Sequence, residues 1–282
     1  MSGIEAGIYG DMPNADYHAQ TDWLSSTQLK RALPERYKTG GSRDALDFGS
    51  LFHTLALEPA KVATFAEENG ITVLDPKAVG LKADGKPSDS PTSTKAWKDV
   101  VAAVEADGRR VMTQADWDEW VDRATAMVDA IRNHETAAEL MFNRDGQAEE
   151  SVFADVNGVP CKARFDRRIP GVILDLKSTS TKPGADSIAR AVIDYGYDLS
   201  AAHYLAVAEA AGLEVDAFAF VFVSKTAPHY VTVCDLDETF LARGRVLRAL
   251  AIERLANAAD AYEGATGFLT LDCPRWARLG VA

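Results

Sequence analysis

The sequence predicts an α/β fold: a mixed sheet of about five strands flanked by helices and carrying an N-terminal helical layer. Two observations carry this expectation. Up to residue 148, apolar side chains recur mainly at the spacing of helices. From Glu149 the pattern switches to two-residue alternation and short apolar runs separated by turn signals, with helical stretches after them. The composition, 47% hydrophobic and 26% charged over 282 residues, supplies apolar material for a sizeable core and excludes a disordered chain.

Leu24 to Arg31 starts a short helix, with Ser25 or Ser26 as its N-cap and Gln28 as the far member of a capping box. Gly40-Gly41 breaks the chain. Asp44 to Leu57 is a helix whose stripe includes Phe48, Leu51, Phe52 and Leu55, and Pro59 ends it. Lys77 to Thr94 is rich in Gly, Pro and Ser and reads as a flexible loop. Lys95 to Asp107 is helical. Thr113 caps the next helix, whose stripe runs through Trp117, Trp120, Ala124, Met127 and Ile131, and His134 to Phe142 adds a further turn or two.

Ser151 to Val156 is a strand. Asn157-Gly158 is a hairpin turn, since both positions tolerate positive φ. Val159 to Arg168 is the partner strand, with Cys161, Ala163 and Phe165 on one side and Lys162, Arg164 and Asp166 on the other. Pro170-Gly171 turns the chain into a third strand, Val172 to Lys177. Gly184 to Tyr195 and Asp198 to Ala211 are helices, Ala217 to Val223 and His229 to Cys234 are strands, and Glu238 to Tyr262 is a closing helix. The expected organisation is one domain over 1–282: a helical part to 148 with its loop near 77–94, an α/β core over 149–264, and a tail over 265–282.

The three cysteines, Cys161, Cys234 and Cys273, are far apart, which argues against a disulfide scaffold, a zinc ribbon or a four-cysteine iron–sulfur site. No apolar stretch approaches a membrane span, and the first ten residues lack a signal pattern, so a reducing cytoplasm is expected. A net charge of −12 disfavours a protein that coats nucleic acid. The charge is uneven, however: residues 158–190 hold seven bases and three acids, and 24–43 hold five bases and one acid. Two basic stretches on an acidic body suit an enzyme that grips a polyanion at one place, with Lys162 and Arg164 as candidate contacts.

The informative stretch runs from Phe165 to Lys177. Asp166 ends the polar row of one strand, and Asp175-Leu176-Lys177 ends the next. Positions i and i+2 of a strand share a side, so Asp175 and Lys177 point together while Leu176 enters the core. Tight turns bring Asp166 and Asp175 within reach of one ion. Two carboxylates and the Leu176 carbonyl make a hard oxygen site suited to Mg²⁺, with Mn²⁺ as a substitute. A lysine beside them can orient water or meet charge at a phosphate, which is what phosphodiester hydrolysis requires.

These residues resemble the core of the PD-(D/E)XK nucleases. Phe48-Gly49-Ser50-Leu51-Phe52-His53, followed by Leu57-Glu58-Pro59, is similar to the helical histidine motif of the RecE type, the exodeoxyribonuclease VIII-like nucleases of phages and prophages. Tyr17-His18 followed by Leu24 to Lys30 also matches, as does Tyr197 to Tyr204, where related nucleases carry Gln-x-x-x-Tyr. Here the Gln position is Ser200. The resemblance spans roughly residues 8–262.

It implies a Mg²⁺-dependent, 5′→3′ exonuclease on linear double-stranded DNA, exposing 3′ single strands for phage-type recombination. A RecT-type single-strand annealing protein would be its partner, and a homo-oligomer in a bacterial cytoplasm its form. A RecB-like nuclease on other DNA ends, or an inactive nuclease fold that binds DNA or a partner, are the alternatives. Residue by residue, His53, Asp166 and Asp175 would hold metal and Lys177 would assist the attacking water. One of Glu149 and Glu150 would add a carboxylate, and Glu150 stands as the candidate. Tyr204 would line the DNA channel with Ser200 in the same element. Independently of the resemblance, the hydroxyls of Ser178 and Thr179, which follow the Asp175-Leu176-Lys177 strand end, either contact phosphate or simply end the strand.

Overall fold

The computed structural model describes residues 4–38, 41–180 and 182–264. The strands are β1 (Gly7–Tyr9), β2 (Ile71–Leu74), β3 (Arg110–Thr113), β4 (Gln147–Asp155), β5 (Pro160–Ile169), β6 (Gly171–Thr179), β7 (Val215–Ser224) and β8 (Val231–Asp235). The helices are α1 (Asn14–Ala19), α2 (Ser26–Arg31), α3 (Arg43–Leu57), α4 (Val62–Glu68), α5 (Pro76–Val79), α6 (Lys95–Ala106), α7 (Gln114–Arg132), α8 (Glu135–Ala138), α9 (Ala185–Tyr195), α10 (Tyr197–Ala210) and α11 (Glu238–Gly264).

Six strands form one mixed sheet in the order β1-β4-β5-β6-β7-β8, and β2 and β3 pair separately in parallel. The short edge strand β1 and the β2–β3 pair have no alternation long enough to read from sequence. Within the main sheet only β6 and β7 are parallel. A parallel pair needs a crossover, which α9 and α10 supply. These two strands are central and buried on both sides, which is why Ala217 to Val223 reads as an unbroken apolar run.

Alternate residues feed two cores. Leu174, Leu176, Val221 and Val223 pack against Phe48, Leu51 and Phe52 of α3 and Met127 and Ile131 of α7. Ile173, Phe220 and Phe222 pack on the other face with Val192 of α9 and Ala201 and Val207 of α10. The short helix α2 holds to α10 and α11 through Leu29, Leu33, Leu199 and Leu247. Its N-terminus is a full capping box, with Ser25 and Gln28 bonded reciprocally as their spacing implies.

The 77–94 stretch, expected as a loop, contains the end of α5, a bridge between Leu81 and Pro87 and a turn of 3₁₀ helix at Pro91–Ser93. The expected tail over 265–282 lies outside the described residues. The crossing of α10 and α11 depends on Gly244, where an added Cβ would lie 2.2 Å from the Asp198 carbonyl oxygen. Gly244→Ala is therefore expected to lower stability by about 1–3 kcal/mol, the usual range for overpacking, read as a fall in melting temperature.

Candidate active site

The site begins where two ladders fail. The β4–β5 hairpin closes on Asn157 and Gly158, both with positive φ, and its register pairs Ala148 with Arg167 and Glu150 with Phe165. That register sets Glu149 opposite Asp166, but this pair is missing from the ladder because Glu149 has a left-handed φ of 52°. A non-glycine residue in this region is strained, and like charges directly opposed on a sheet repel. On the other side, β5 pairs with β6 only as far as Arg167 opposite Leu174. Beyond that point the Asp166 carboxylate takes over, with Oδ2 accepting the Leu176 N–H at 2.7 Å.

Helix α3 delivers His53 into this gap, with Nδ1 3.5 Å from Asp166 Oδ2. Ligand atoms of His53, Glu149 and Asp166 lie within 4.8 Å of one another. Asp175 is outside that trio. It is buried, and its Oδ2 is 2.5 Å from Lys177 Nζ. Asp175 and Lys177 thus share a side as the strand period demands, with Leu176 in the core between them. The Leu176 carbonyl, expected as a metal ligand, lies close enough to the His53 ring to favour its protonated form slightly.

Burial sets the protonation states. It lowers His53 to about 4, aided by the Lys177 charge, so the ring is neutral and its contact with Asp166 is no ion pair. Burial raises Glu149 to about 7, with Asp166 repulsion adding and Arg164 opposing. Asp166 and Asp175 are also raised by burial, against the pull of Lys177. Lys177 goes the other way: burial would discharge it, but Asp175 and Asp166 hold its proton more tightly than usual. Crowded carboxyls that cling to protons, beside a neutral imidazole, are a donor set that a hard divalent cation would relieve.

The structure corrects several expectations. Glu150 is buried on the other side and forms a two-pronged ion pair with Arg168, at 2.5 and 2.8 Å; Glu149 is the residue in the trio. Counting back from the Asn157-Gly158 turn would have found this, since a two-residue hairpin puts 149 opposite 166. Lys162 is buried, donating to the Tyr17 and Gln20 carbonyls at 2.7 Å, and offers nothing to DNA. Arg164 donates to Glu149 at 2.7 Å and to the Met12 carbonyl at 3.0 Å, so it positions a carboxylate instead of gripping phosphate. Much of the basic stretch is thus consumed inside the fold.

Tyr204 packs between Phe165 and Phe218 and is in neither of the two cavities that border His53. Ser200 is buried and donates to the Gly196 carbonyl of its own helix. The residue of α10 that meets Lys177 is Tyr197, one turn earlier, with Nζ 5.4 Å from its ring centre. Ser178 and Thr179 do line a cavity, of about 810 Å³, together with Lys177, Arg190, Tyr197 and Lys225. A second cavity of about 1000 Å³ holds Glu149, Arg164 and Asp166. Both touch Leu46, Gly49 and His53, so they flank one stretch of α3. An added Cβ on Gly49 would be 3.8 Å from Ser178 Oγ, an ordinary contact. Gly49 thus lines both cavities without adding bulk to either.

One paired test separates the two glutamates. Glu149→Gln is expected to weaken Mn²⁺ binding at least ~10-fold, the scale of losing one metal-site group, as read by calorimetry. Glu150→Gln is expected to leave Mn²⁺ binding intact and lower the melting temperature, because Arg168 loses its partner. The pH dependence has a definite sign. Between 4.5 and about 7 the folded chain keeps a Glu149 proton that the unfolded chain has lost. Metal-free stability relative to Glu149→Gln therefore falls as pH rises through that window.

The family pattern described as "PDDEXK-like domain of unknown function (DUF3799)" matches residues 21–261. No curated protein sequence matches significantly. Among solved structures, a protein of Eubacterium rectale described as an exonuclease candidate is similar over 89% of this chain and 87% of its own, at 15% identity and a TM-score of 0.58. An alkaline exonuclease of Laribacter hongkongensis matches over 71% of this chain and 95% of its own, at 10% identity and a TM-score of 0.31, too low to argue from. Among the described residues no helix is long and apolar enough to cross a membrane. The six-stranded mixed sheet, the strand-end Asp175-Leu176-Lys177 and a family match over most of the length agree: the chain belongs to DUF3799 and has the fold of the PD-(D/E)XK nuclease superfamily.

Proposed function

We propose that this chain is a Mg²⁺-dependent deoxyribonuclease that degrades linear duplex DNA from its ends, 5′→3′. The observation that carries the reading is the trio of His53, Glu149 and Asp166 beside the buried Asp175–Lys177 pair. The three trio residues, with Asp175 next to them, would hold the metal, which supplies an activated water and offsets charge on the phosphate. Arg164 fixes the Glu149 carboxylate in place. Lys177 stays charged and presents an ammonium to the phosphate, and Tyr197 bounds the space around it. Polarity, recombination, an annealing partner of RecT type and a homo-oligomeric form rest on the resemblance to RecE-type nucleases.

The test is digestion of linear duplexes labelled at either end, with and without 5′-phosphate, in Mg²⁺, Mn²⁺ and chelator. Label released first from the 5′ end, only with metal, is the expected result. No degradation under any metal sinks the reading, and release from the 3′ end reverses the polarity. His53 adds a check within the same assay. His53→Ala is expected to shift the Mg²⁺ dependence upward and slow cleavage while the melting temperature barely changes. A destabilised variant with a normal metal titration would make His53 a packing residue only.

A further inference from the structure

The cavity beside Lys177 has an aromatic wall that hydrolysis itself does not use. α9 ends at Tyr195 and α10 starts at Tyr197, with only Gly196 between them. Gly196 has a left-handed φ of 63°, and a Cβ there would lie 2.6 Å from the Tyr37 ring, so this turn demands glycine. The turn sets the two tyrosine rings face to face, 5.7 Å apart and 27° from parallel. Tyr197 is backed by Phe220 and Phe222 and carries Lys177 beside its ring.

Tyr195 is different. It is 44% exposed at the cavity, so its ring is held by Tyr197 yet still open to solvent. A lone exposed aromatic needs no explanation. Here the ring is pre-ordered by a second aromatic, one ring away from the lysine assigned to the scissile phosphate. Arg190 and Lys177 line the same cavity, as does Lys225, whose ammonium donates to the Ala45 carbonyl and lies over the Phe48 ring; of the two acids, Asp186 and Asp194, the latter is paired with Lys38 at 2.7 Å. Phosphate-binding cations around a fixed aromatic face are the chemistry that holds single-stranded nucleic acid: the cations take the backbone and the ring takes a base of any kind.

We propose that Tyr195 is a stacking platform for an unpaired base of the DNA strand entering the active site, with Arg190 meeting a flanking phosphate. The proposal rests on the nuclease reading and adds to it a preference for frayed or unpaired ends. Exposure of the ring keeps the test clean, because Tyr195→Ala should fold and Tyr195→Phe should keep the stack.

The experiment titrates protein against duplexes ending in a two-nucleotide flap, 5′ or 3′, bearing either normal bases or abasic residues, with Ca²⁺ replacing Mg²⁺ to hold back turnover. Wild type is expected to bind one base-bearing flap about 10-fold tighter than its abasic twin, the scale of one stacked base. Tyr195→Ala is expected to bind both flaps equally, at the wild-type abasic level, while Tyr195→Phe keeps the ratio and the melting temperatures agree. Wild type that ignores base removal, or Tyr195→Ala that responds to it as wild type does, overturns the platform even if the enzyme degrades DNA normally. Failure of wild type to bind or degrade any DNA takes down the nuclease reading instead.

Discussion

Asp166→Asn is expected to abolish degradation of linear duplex DNA while leaving the metal-free protein as stable as wild type or more so. The Asp166 carboxylate faces Glu149 across the interrupted ladder and lies near Asp175, and its own proton affinity is raised by burial. Without metal, one fewer negative charge relieves that crowding. With metal, the trio loses a charged donor. Asparagine is the informative choice because Asp166 Oδ2 also accepts the Leu176 N–H. An amide oxygen can keep that bond, whereas Asp166→Ala would strand a buried N–H at a cost of about 1–3 kcal/mol and blur the stability readout. Single-turnover digestion and melting in chelator check both halves. Cleavage at the wild-type rate would remove Asp166 from the chemistry.

Lys177→Ala is expected to cleave at least ~100-fold more slowly at saturating protein, the order seen when one preorganised contact to developing charge is lost. The neighbouring carboxylates keep Lys177 protonated, so it acts as an ammonium and not as a base. Lys177→Arg should not rescue the rate, since a planar fork cannot replace a compact charge 2.5 Å from Asp175 in a crowded pocket. The variant also has a stability signature. Asp175 becomes a buried carboxylate without its counter-charge, so its folded pKa climbs further above the unfolded value. Melting temperature should then fall at pH 7 to 8 and recover as pH drops and Asp175 takes up a proton. If Lys177 merely gripped phosphate, saturation would restore the rate, and the salt dependence of binding would flatten by about one unit of slope.

Short-range pattern carried a large part of this site into view. The apolar stripe of α3 places His53 on a helix packed over the sheet, and the two-residue period of β6 puts Asp175 and Lys177 on one side of Leu176. Even the Glu149–Asp166 opposition follows from a two-residue turn at Asn157-Gly158, because hairpin register is arithmetic once the turn is known. These are consequences of backbone geometry over a few residues, and geometry of that range is written in residue spacing.

Which charges remain free for a substrate is another matter. Lys162, Arg164 and Arg168 look in sequence like a basic surface row, yet they are spent on the Tyr17 and Gln20 carbonyls, Glu149 and Glu150. Tyr197 and Tyr195, not Tyr204 and Ser200, wall the space around Lys177, because the left-handed Gly196 turns α10 away from α9 at that point. Periodicity determined which face each side chain takes and therefore the sheet, the helix over it and the Asp-x-Lys strand end. Only the tertiary structure decided which charged groups are paired, buried or open, because an ion pair or a raised pKa depends on partners brought together from distant parts of the chain, about which local spacing holds no information.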